Sequence, residues 1–138
     1  MFHKILIAYD GSKPAADAFE AALDIAARYQ AELLVLTVAR PPEFAEDVET
    51  EAIVENSRGY HQKLLAPLKH KTSAKNLKAH FEVAVGHPAE QIIYHADQFG
   101  ADLIVVGHRG KSLFARLLLG SISKQVTQYA GCPVLVVR

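Results

Sequence analysis

Residues 103–121 read LIVVGHRGKSLFARLLLGS. The stretch opens with four apolar residues, Leu103 to Val106, and then carries glycines at positions 107, 110 and 120. A short apolar run that ends at glycine predicts a strand buried on both faces, as strands are in parallel sheets. Gly120 and Ser121 stand where a helix begins. The segment is therefore interpreted as a glycine-rich loop between a buried strand and a helix.

The same alternation of short apolar runs with longer helical periods extends over the whole chain. Strands are predicted at residues 5–8, 33–38, 80–85, 103–106 and 134–137, with helices between them. Such an order predicts a mainly parallel sheet covered by helices on both faces, in one α/β domain over residues 1–138. We expect Arg40 to Thr50 to form a loop. The expected core positions of the second helix are Ile53, Leu64, Leu65 and Leu68.

Composition limits the class of protein. Half of the 138 residues are hydrophobic and the formal net charge is zero, which argues against disorder and against nucleic-acid binding through bulk positive charge. The single cysteine, Cys132, excludes an intrachain disulfide. We see no signal peptide and no stretch of membrane-spanning length, so we expect a cytoplasmic protein without a membrane partner.

Ligands of open parallel sheets bind beyond the carboxyl ends of the strands, where the winding direction reverses. The loop from Gly107 to Ser121 begins at such an end and stops at a helix N-terminus, which favours anions. Arg109 and Lys111 add positive charge there. Gly110-Lys111-Ser112 is not the end of a P-loop, because that motif needs a glycine where this chain has Val105. Taken alone, the glycines could equally be ordinary turns.

Two further residues follow predicted strands. Asp10 ends the first strand, and a carboxylate there suits a ribose hydroxyl or an adenine better than a phosphate, although turn formation alone explains it as well. Val38 ends the neighbouring strand, where it could contact an apolar base or simply belong to the core. The seven histidines show no metal-ligand spacing. We therefore predict neither catalytic nor metal-binding residues.

Taken together, four segments resemble the universal stress protein family. The pattern G-x2-G-x9-G-[S/T], filled here by Gly107, Gly110, Gly120 and Ser121, resembles the ATP-binding signature of that family. The remaining three segments look like its first strand and turn, the turn before its third helix and its closing strand. They are residues 4–12, 86–89 and 132–137. The resemblance covers essentially the whole chain.

The resemblance implies a Rossmann-like, adenine nucleotide alpha hydrolase-like fold, with an open, doubly wound parallel sheet of five strands in the order 3-2-1-4-5. It also implies a homodimer in which the C-terminal strands pair. In ATP-binding members, residues matching Asp10 and Val38 hold the adenosine, and the segment from the first glycine of the signature wraps the ribose and phosphates. The site residues implied in this chain are Ala8, Asp10, Val38, Val106, Gly107, His108, Arg109, Gly110, Gly120, Ser121 and Ile122.

The function that the resemblance implies is a nucleotide-dependent regulatory module of the stress response, with ATP and Mg²⁺ as ligands and an unknown protein as a further partner. Three alternatives stay open at this point. The chain could be a slow ATPase, a nucleotide-free dimeric interaction protein, or a binder of AMP or a cyclic nucleotide. Arg109 and Lys111 favour a polyphosphate among these ligands.

Overall fold

The computed structural model describes residues 1–40, 47–108 and 120–138, and within 47–58 it describes the backbone alone. Strands and helices alternate throughout the described chain. In chain order they are β1 (Lys4–Ala8), α1 (Lys13–Tyr29), β2 (Glu32–Ala39), α2 (Asp47–Ala74), β3 (Ala79–Val85), α3 (Pro88–Phe99), β4 (Leu103–Gly107), α4 (Ser121–Tyr129) and β5 (Val134–Val137).

The five strands form one sheet in the order β3-β2-β1-β4-β5, and every neighbouring pair is parallel. This confirms the predicted fold and strand order. β1 lies at the centre, with Ile7 opposite Val35 of β2 and Val105 of β4. The chain moves outward from β1 to β3 and then returns to β4 on the other side. The carboxyl ends of β1 and β4 therefore flank the point where the winding reverses.

Both faces of the sheet are covered, which explains the wholly apolar strands. On one face, Ile5 and Ile7 of β1 pack with Phe19 of α1 and with Leu65 and Leu68 of α2. The other face forms a second core under α3 and α4. Its central members are Leu6, Leu36, Ile92, Val106 and Val126. Alternate residues of one strand thus serve opposite cores, as the period of two requires.

The second helix departs in part from the prediction. Leu65 and Leu68 are buried as expected, whereas Leu64 is half-buried and packs against the turn at Gly11. The side chain of Ile53 lies outside the described residues. The predicted loop from Arg40 to Thr50 is too long, because α2 already begins at Asp47.

Local sequence signals account for the helix ends. Ser12 caps α1, and its Oγ accepts a hydrogen bond of 3.2 Å from the N–H of Ala15. Gly100 ends α3 in the left-handed conformation, with φ of 76°. Tyr129, the last residue of α4, is 66 % exposed. Among the described helices, none is both long and apolar enough to cross a membrane.

Candidate functional site

A cleft opens at the carboxyl ends of β1, β2 and β4, at the reversal point of the sheet. Its free space is about 610 Å³ when the open mouth is included. The described residues that line it are Ala8, Tyr9, Asp10, Ser12, Pro14, Ala15, Leu36, Val38, Pro88, Ile92, Val106, Gly107, Gly120, Ile122 and Ser123.

Apolar side chains form the deep part of the cleft. Val38 and Val106 come from the ends of β2 and β4, and Ile92 comes from the first half of α3. Ile122 adds a half-buried side chain from the start of α4. These branched side chains present flat apolar surface without hydrogen-bonding groups, which suits the face of an aromatic base.

The amino end of α1 is already satisfied by its own side chains. Oδ1 of Asp10 accepts a hydrogen bond of 2.9 Å from the N–H of Ser12, which makes a turn. Oγ of Ser12 in turn occupies the N–H of Ala15. Pro14, the second residue of the helix, has no N–H. An anion therefore finds few free donors at this end of the cleft and meets the exposed carboxylate of Asp10 instead.

The amino end of α4 is different, because no side chain of the described residues caps it. Gly120 occupies the N-cap position and has no side chain to accept a hydrogen bond. The first helical bond runs from the N–H of Lys124 to the oxygen of Gly120, at 2.9 Å. The N–H groups of residues 121–123 precede this bond and have no partner within the helix. Together with the helix dipole they make this wall of the cleft favourable for an anion.

Gly107 joins these two helix ends. A Cβ atom placed on it would lie 2.5 Å from the carbonyl carbon and oxygen of Pro14 and 2.9 Å from the nitrogen of Ala15, so only glycine fits. On the other side, the oxygen of Gly107 accepts a hydrogen bond of 3.0 Å from Oγ of Ser123. The end of β4 thus touches the first turns of both α1 and α4.

The structure brings most of the predicted site residues together. Seven of them line the cleft, namely Ala8, Asp10, Val38, Val106, Gly107, Gly120 and Ile122. Ser121 is exposed and does not line the cleft, although it lies between Gly120 and Ile122. Arg109 and Gly110 lie outside the described residues. Whether these residues bind a nucleotide stays a prediction.

His108 does not line the cleft, and its ring is buried, with 4 % of the residue exposed. Its N–H donates a hydrogen bond of 2.7 Å to the oxygen of Val137 and extends the pairing of β4 with β5. Nε2 of the ring is buried without a hydrogen-bond partner in the described part of the chain. His108 therefore belongs to the wall behind the cleft rather than to its surface.

Sequence reasoning missed several lining residues. Tyr9 and Ser12 belong to the turn after β1, which was singled out for Asp10, and Pro14 is the second residue of α1. Pro88 and Ile92 lie on α3, and the sequence gives no sign that this helix reaches the reversal point. Ser123 was missed because its role depends on a contact with Gly107, sixteen residues away.

The described residues contain no group of three or more histidine, cysteine or acidic side chains placed to hold a metal ion. Among the lining residues, Asp10 supplies the carboxylate. A divalent cation such as Mg²⁺ commonly binds through one or two carboxylates together with the phosphates of its substrate. With a single carboxylate among the described lining residues, a divalent cation that arrives with a nucleotide would be held mainly through the phosphates.

Comparisons with known proteins agree with this architecture. The model of the universal stress protein family matches residues 1–138. The universal stress protein YxiE of Bacillus subtilis is 38 % identical, and the match covers 100 % of both chains. The universal stress protein UspA from Lactobacillus plantarum has a similar structure, with a TM-score of 0.86, 26 % identity and coverage of 99 % of this chain and 97 % of that one.

A universal stress protein crystallised in complex with cAMP is also similar. Its TM-score is 0.76 at 25 % identity, and the match covers 99 % of this chain and 97 % of that one. The bound cAMP belongs to that protein.

Proposed function

Because the chain belongs to the universal stress protein family, we propose that it binds ATP and serves as a nucleotide-dependent regulatory module of the stress response in the cytoplasm. The observation that supports this proposal is the contrast between the two helix ends in the cleft. The start of α1 carries Asp10 and is capped by Asp10 and Ser12, whereas the start of α4 has no side-chain cap among the described residues. A ligand whose neutral end carries hydroxyl groups and whose other end is anionic would suit both helix ends, with the hydroxyl groups near α1 and the anion near α4.

The adenosine would occupy the apolar part of the cleft. The base packs between the branched side chains of Val38 and Ile92, and the carboxylate of Asp10 accepts a hydrogen bond from a ribose hydroxyl. Asp10 repels phosphate, which orients the nucleotide with its phosphates away from α1. Asp10 would thus contact the ribose, as its position directly after β1 suggested.

The phosphates would bind at the start of α4. The free N–H groups of residues 121–123 point out of the helix end, and Gly120 leaves room for the ligand because it has no side chain. Arg109, Gly110 and Ser121 complete the proposed phosphate site. Mg²⁺ would accompany the phosphates and reach the protein through them.

Binding of a cyclic nucleotide is the second candidate, and a specific observation favours it. A relative of 25 % identity has been crystallised with cAMP. The cleft features proposed for the adenosine do not distinguish the two ligands, since both contain adenine. The difference lies at α4, because cAMP has one phosphodiester charge and ATP has a chain of three phosphates. The substitution of Gly120 described next tests that end of the site.

The decisive variant is Gly120→Asp. Gly120 has φ of −60° and ψ of 156°, which are ordinary N-cap angles for aspartate. The new carboxylate would accept the free N–H groups of α4 and raise thermal stability, while its negative charge would repel phosphate. Gly120→Ser is the matched control, since serine caps the helix without a charge.

The measurement is isothermal titration calorimetry of the wild-type protein and both variants with ATP in the presence of Mg²⁺, and with cAMP and adenosine. We expect wild-type protein to bind ATP more tightly than cAMP. We expect Gly120→Asp to lose at least about tenfold in ATP affinity while adenosine changes little. Equal ATP affinity in wild type and Gly120→Asp would exclude α4 as the phosphate site. Tighter binding of cAMP would favour the second candidate.

We further propose that the chain forms a homodimer through β5. Within the described sheet β5 pairs with β4 alone, so its outer edge is free. All four of its residues are apolar, and Leu135 is 37 % exposed. A free apolar edge favours pairing with a second copy, because this satisfies the unpaired backbone groups and covers apolar surface.

A further inference from the structure

The side chain of Ser123 connects two distant parts of the chain. Ser123 is 3 % exposed, and its Oγ donates a hydrogen bond of 3.0 Å to the backbone oxygen of Gly107. Gly107 ends β4, and Ser123 lies in the first turn of α4. This bond therefore ties the first turn of α4 to the end of the fourth strand, in addition to the apolar packing of the helix.

Gly107 also contacts the first turn of α1. Its Cα lies so close to Pro14 and Ala15 that no side chain fits between β4 and the first turn of α1. The position of Gly107 relative to α1 is thus set by direct contact. Since Ser123 holds α4 to the same glycine, the bond also sets the separation of the two helix ends that line the cleft.

From this geometry we infer that Ser123 is a positioning residue for the phosphate end of the ligand, an inference that rests on the proposed nucleotide site. The hydroxyl has one hydrogen, and the oxygen of Gly107 takes it. A phosphate oxygen only accepts hydrogen bonds, so Ser123 cannot donate to it while this bond stands. Ser123 acts instead through the N–H groups of residues 121–123, whose place it determines.

Thr127 provides a matched control on the same helix. Its Oγ1 donates a hydrogen bond to the backbone oxygen of Ser123, one turn earlier. This bond stays within α4 and reaches neither β4 nor α1. Thr127 is also exposed. Loss of its hydroxyl removes a helix hydrogen bond of similar type without releasing the end of the helix from Gly107.

The test compares Ser123→Ala, Ser123→Cys, Ser123→Thr and Thr127→Ala in the full chain, by calorimetric titration with ATP plus Mg²⁺ and with adenosine. We expect Ser123→Ala to lose roughly tenfold or more in ATP affinity and to change adenosine affinity by less than about twofold. Ser123→Cys, which keeps the volume with a weaker donor, should fall in between. Ser123→Thr should restore ATP affinity, and Thr127→Ala should match the wild type.

Two outcomes would overturn the inference. An unchanged ATP affinity in Ser123→Ala would show that the bond to Gly107 does not position the phosphate site. An equal loss for ATP and adenosine would show a general disturbance of the cleft rather than of α4. Failure of the proposed function is a separate result, because wild-type protein itself would then fail to bind ATP.

Discussion

Gly107 and Pro14 are in backbone contact, so close that a Cβ atom on Gly107 would lie 2.5 Å from the carbonyl oxygen of Pro14. Real Cβ atoms do not come this close to other heavy atoms. The atoms in contact here belong to the backbone, which cannot move aside as the end of a flexible side chain can. Any larger residue at position 107 must therefore displace β4 or the first turn of α1. Both elements line the candidate site.

Replacement of Gly107 by alanine should therefore lower both stability and ligand affinity. Forcing a methyl group into a closely packed region costs about 1–3 kcal/mol, and we expect the free energy of unfolding to fall by that amount. Urea denaturation followed by circular dichroism measures the change, and titration with ATP measures the loss of binding. A Gly107→Ala protein as stable as the wild type would show that the contact relaxes without strain.

Gly59 provides a matched control for the glycine-to-alanine substitution, because we expect alanine to stabilise the protein at this position. It lies inside α2, and a Cβ atom there would meet no atom within 4 Å. Alanine is favoured over glycine in a helix interior by about 0.8–1 kcal/mol, so Gly59→Ala should raise the free energy of unfolding by up to this amount. The same urea experiment measures it. Destabilisation would mean that α2 needs the freedom of a glycine at this place.

The fold was largely predictable because the parallel strands are buried on both faces. Residues 33–38 and 103–106 form continuous apolar runs for this reason, and helical spacing between the runs completed the pattern. The strand order required the family resemblance, since apolar runs do not say which strands are neighbours. The error at Asp47 came from acidic residues that suit a loop as well as a first helical turn.

The candidate site was predictable only in part. Asp10, Gly107 and Gly120 directly follow predicted strands or precede a helix, so their place at the carboxyl edge of the sheet could be inferred. Pro88 and Ile92 reach the cleft through the packing of α3, which no local pattern reveals. The sequence also does not reveal that the ring of His108 faces the interior, and whether His108 takes part in ligand binding stays a prediction.

The pairing of Glu32 with His80 predicts a pH-dependent contribution to stability. Nε2 of His80 lies 2.6 Å from Oε2 of Glu32, which joins β2 to β3. The hydrogen bond from His80 is the main cause that lowers the pKa of Glu32 below its ordinary value of 4.5, with Lys78 and Lys4 contributing. Since the folded-state pKa is depressed, the stabilisation is complete above the unfolded value and disappears as the pH falls through the folded one.

Glu32→Gln should consequently lower the melting temperature near neutral pH, and this difference should shrink as the pH falls through the depressed folded-state pKa of Glu32, because the wild-type carboxyl group then becomes neutral as well. The effect will be small, because the side chain of His80 is 44 % exposed. Differential scanning calorimetry from about pH 3 to about pH 7 measures it. His80→Gln should abolish most of the pH dependence. A melting difference that stays constant over this range would contradict the assigned role of the ion pair.

Cys132 should react slowly with thiol reagents in the folded protein. Burial is the main cause that raises the pKa of its thiol above the ordinary value, and the negative charges of Asp102 and Asp97 add to the shift. Because the thiolate is the reactive species, labelling by a disulfide reagent near pH 8 should be slower in native protein than in urea-unfolded protein. Asp97→Asn should accelerate the native reaction. Equal rates in native and unfolded protein would contradict this prediction.

The proposed dimer can be tested through the backbone of β5 alone. The oxygens of Pro133 and Val137 accept hydrogen bonds from the N–H groups of Ile104 in β4 and of His108, which directly follows β4. Backbone direction alternates along a strand, so the N–H of Val136 points to the free edge. Val136→Pro removes that donor and leaves the bonds to β4 in place, and proline is tolerated in edge strands.

We expect light scattering after size-exclusion chromatography to give a dimer for the wild type and a monomer for Val136→Pro. Val136→Ala is the control, because it shortens the side chain but keeps the N–H, and it should remain dimeric. Val136→Pro removes the backbone donor, whereas Val136→Ala reduces only the apolar side chain. The two variants therefore distinguish backbone pairing from apolar packing as the cause of dimerisation. If Val136→Pro and Val136→Ala have the same mass as a dimeric wild type, the two copies must meet through another surface. A monomeric wild type would exclude the dimer itself.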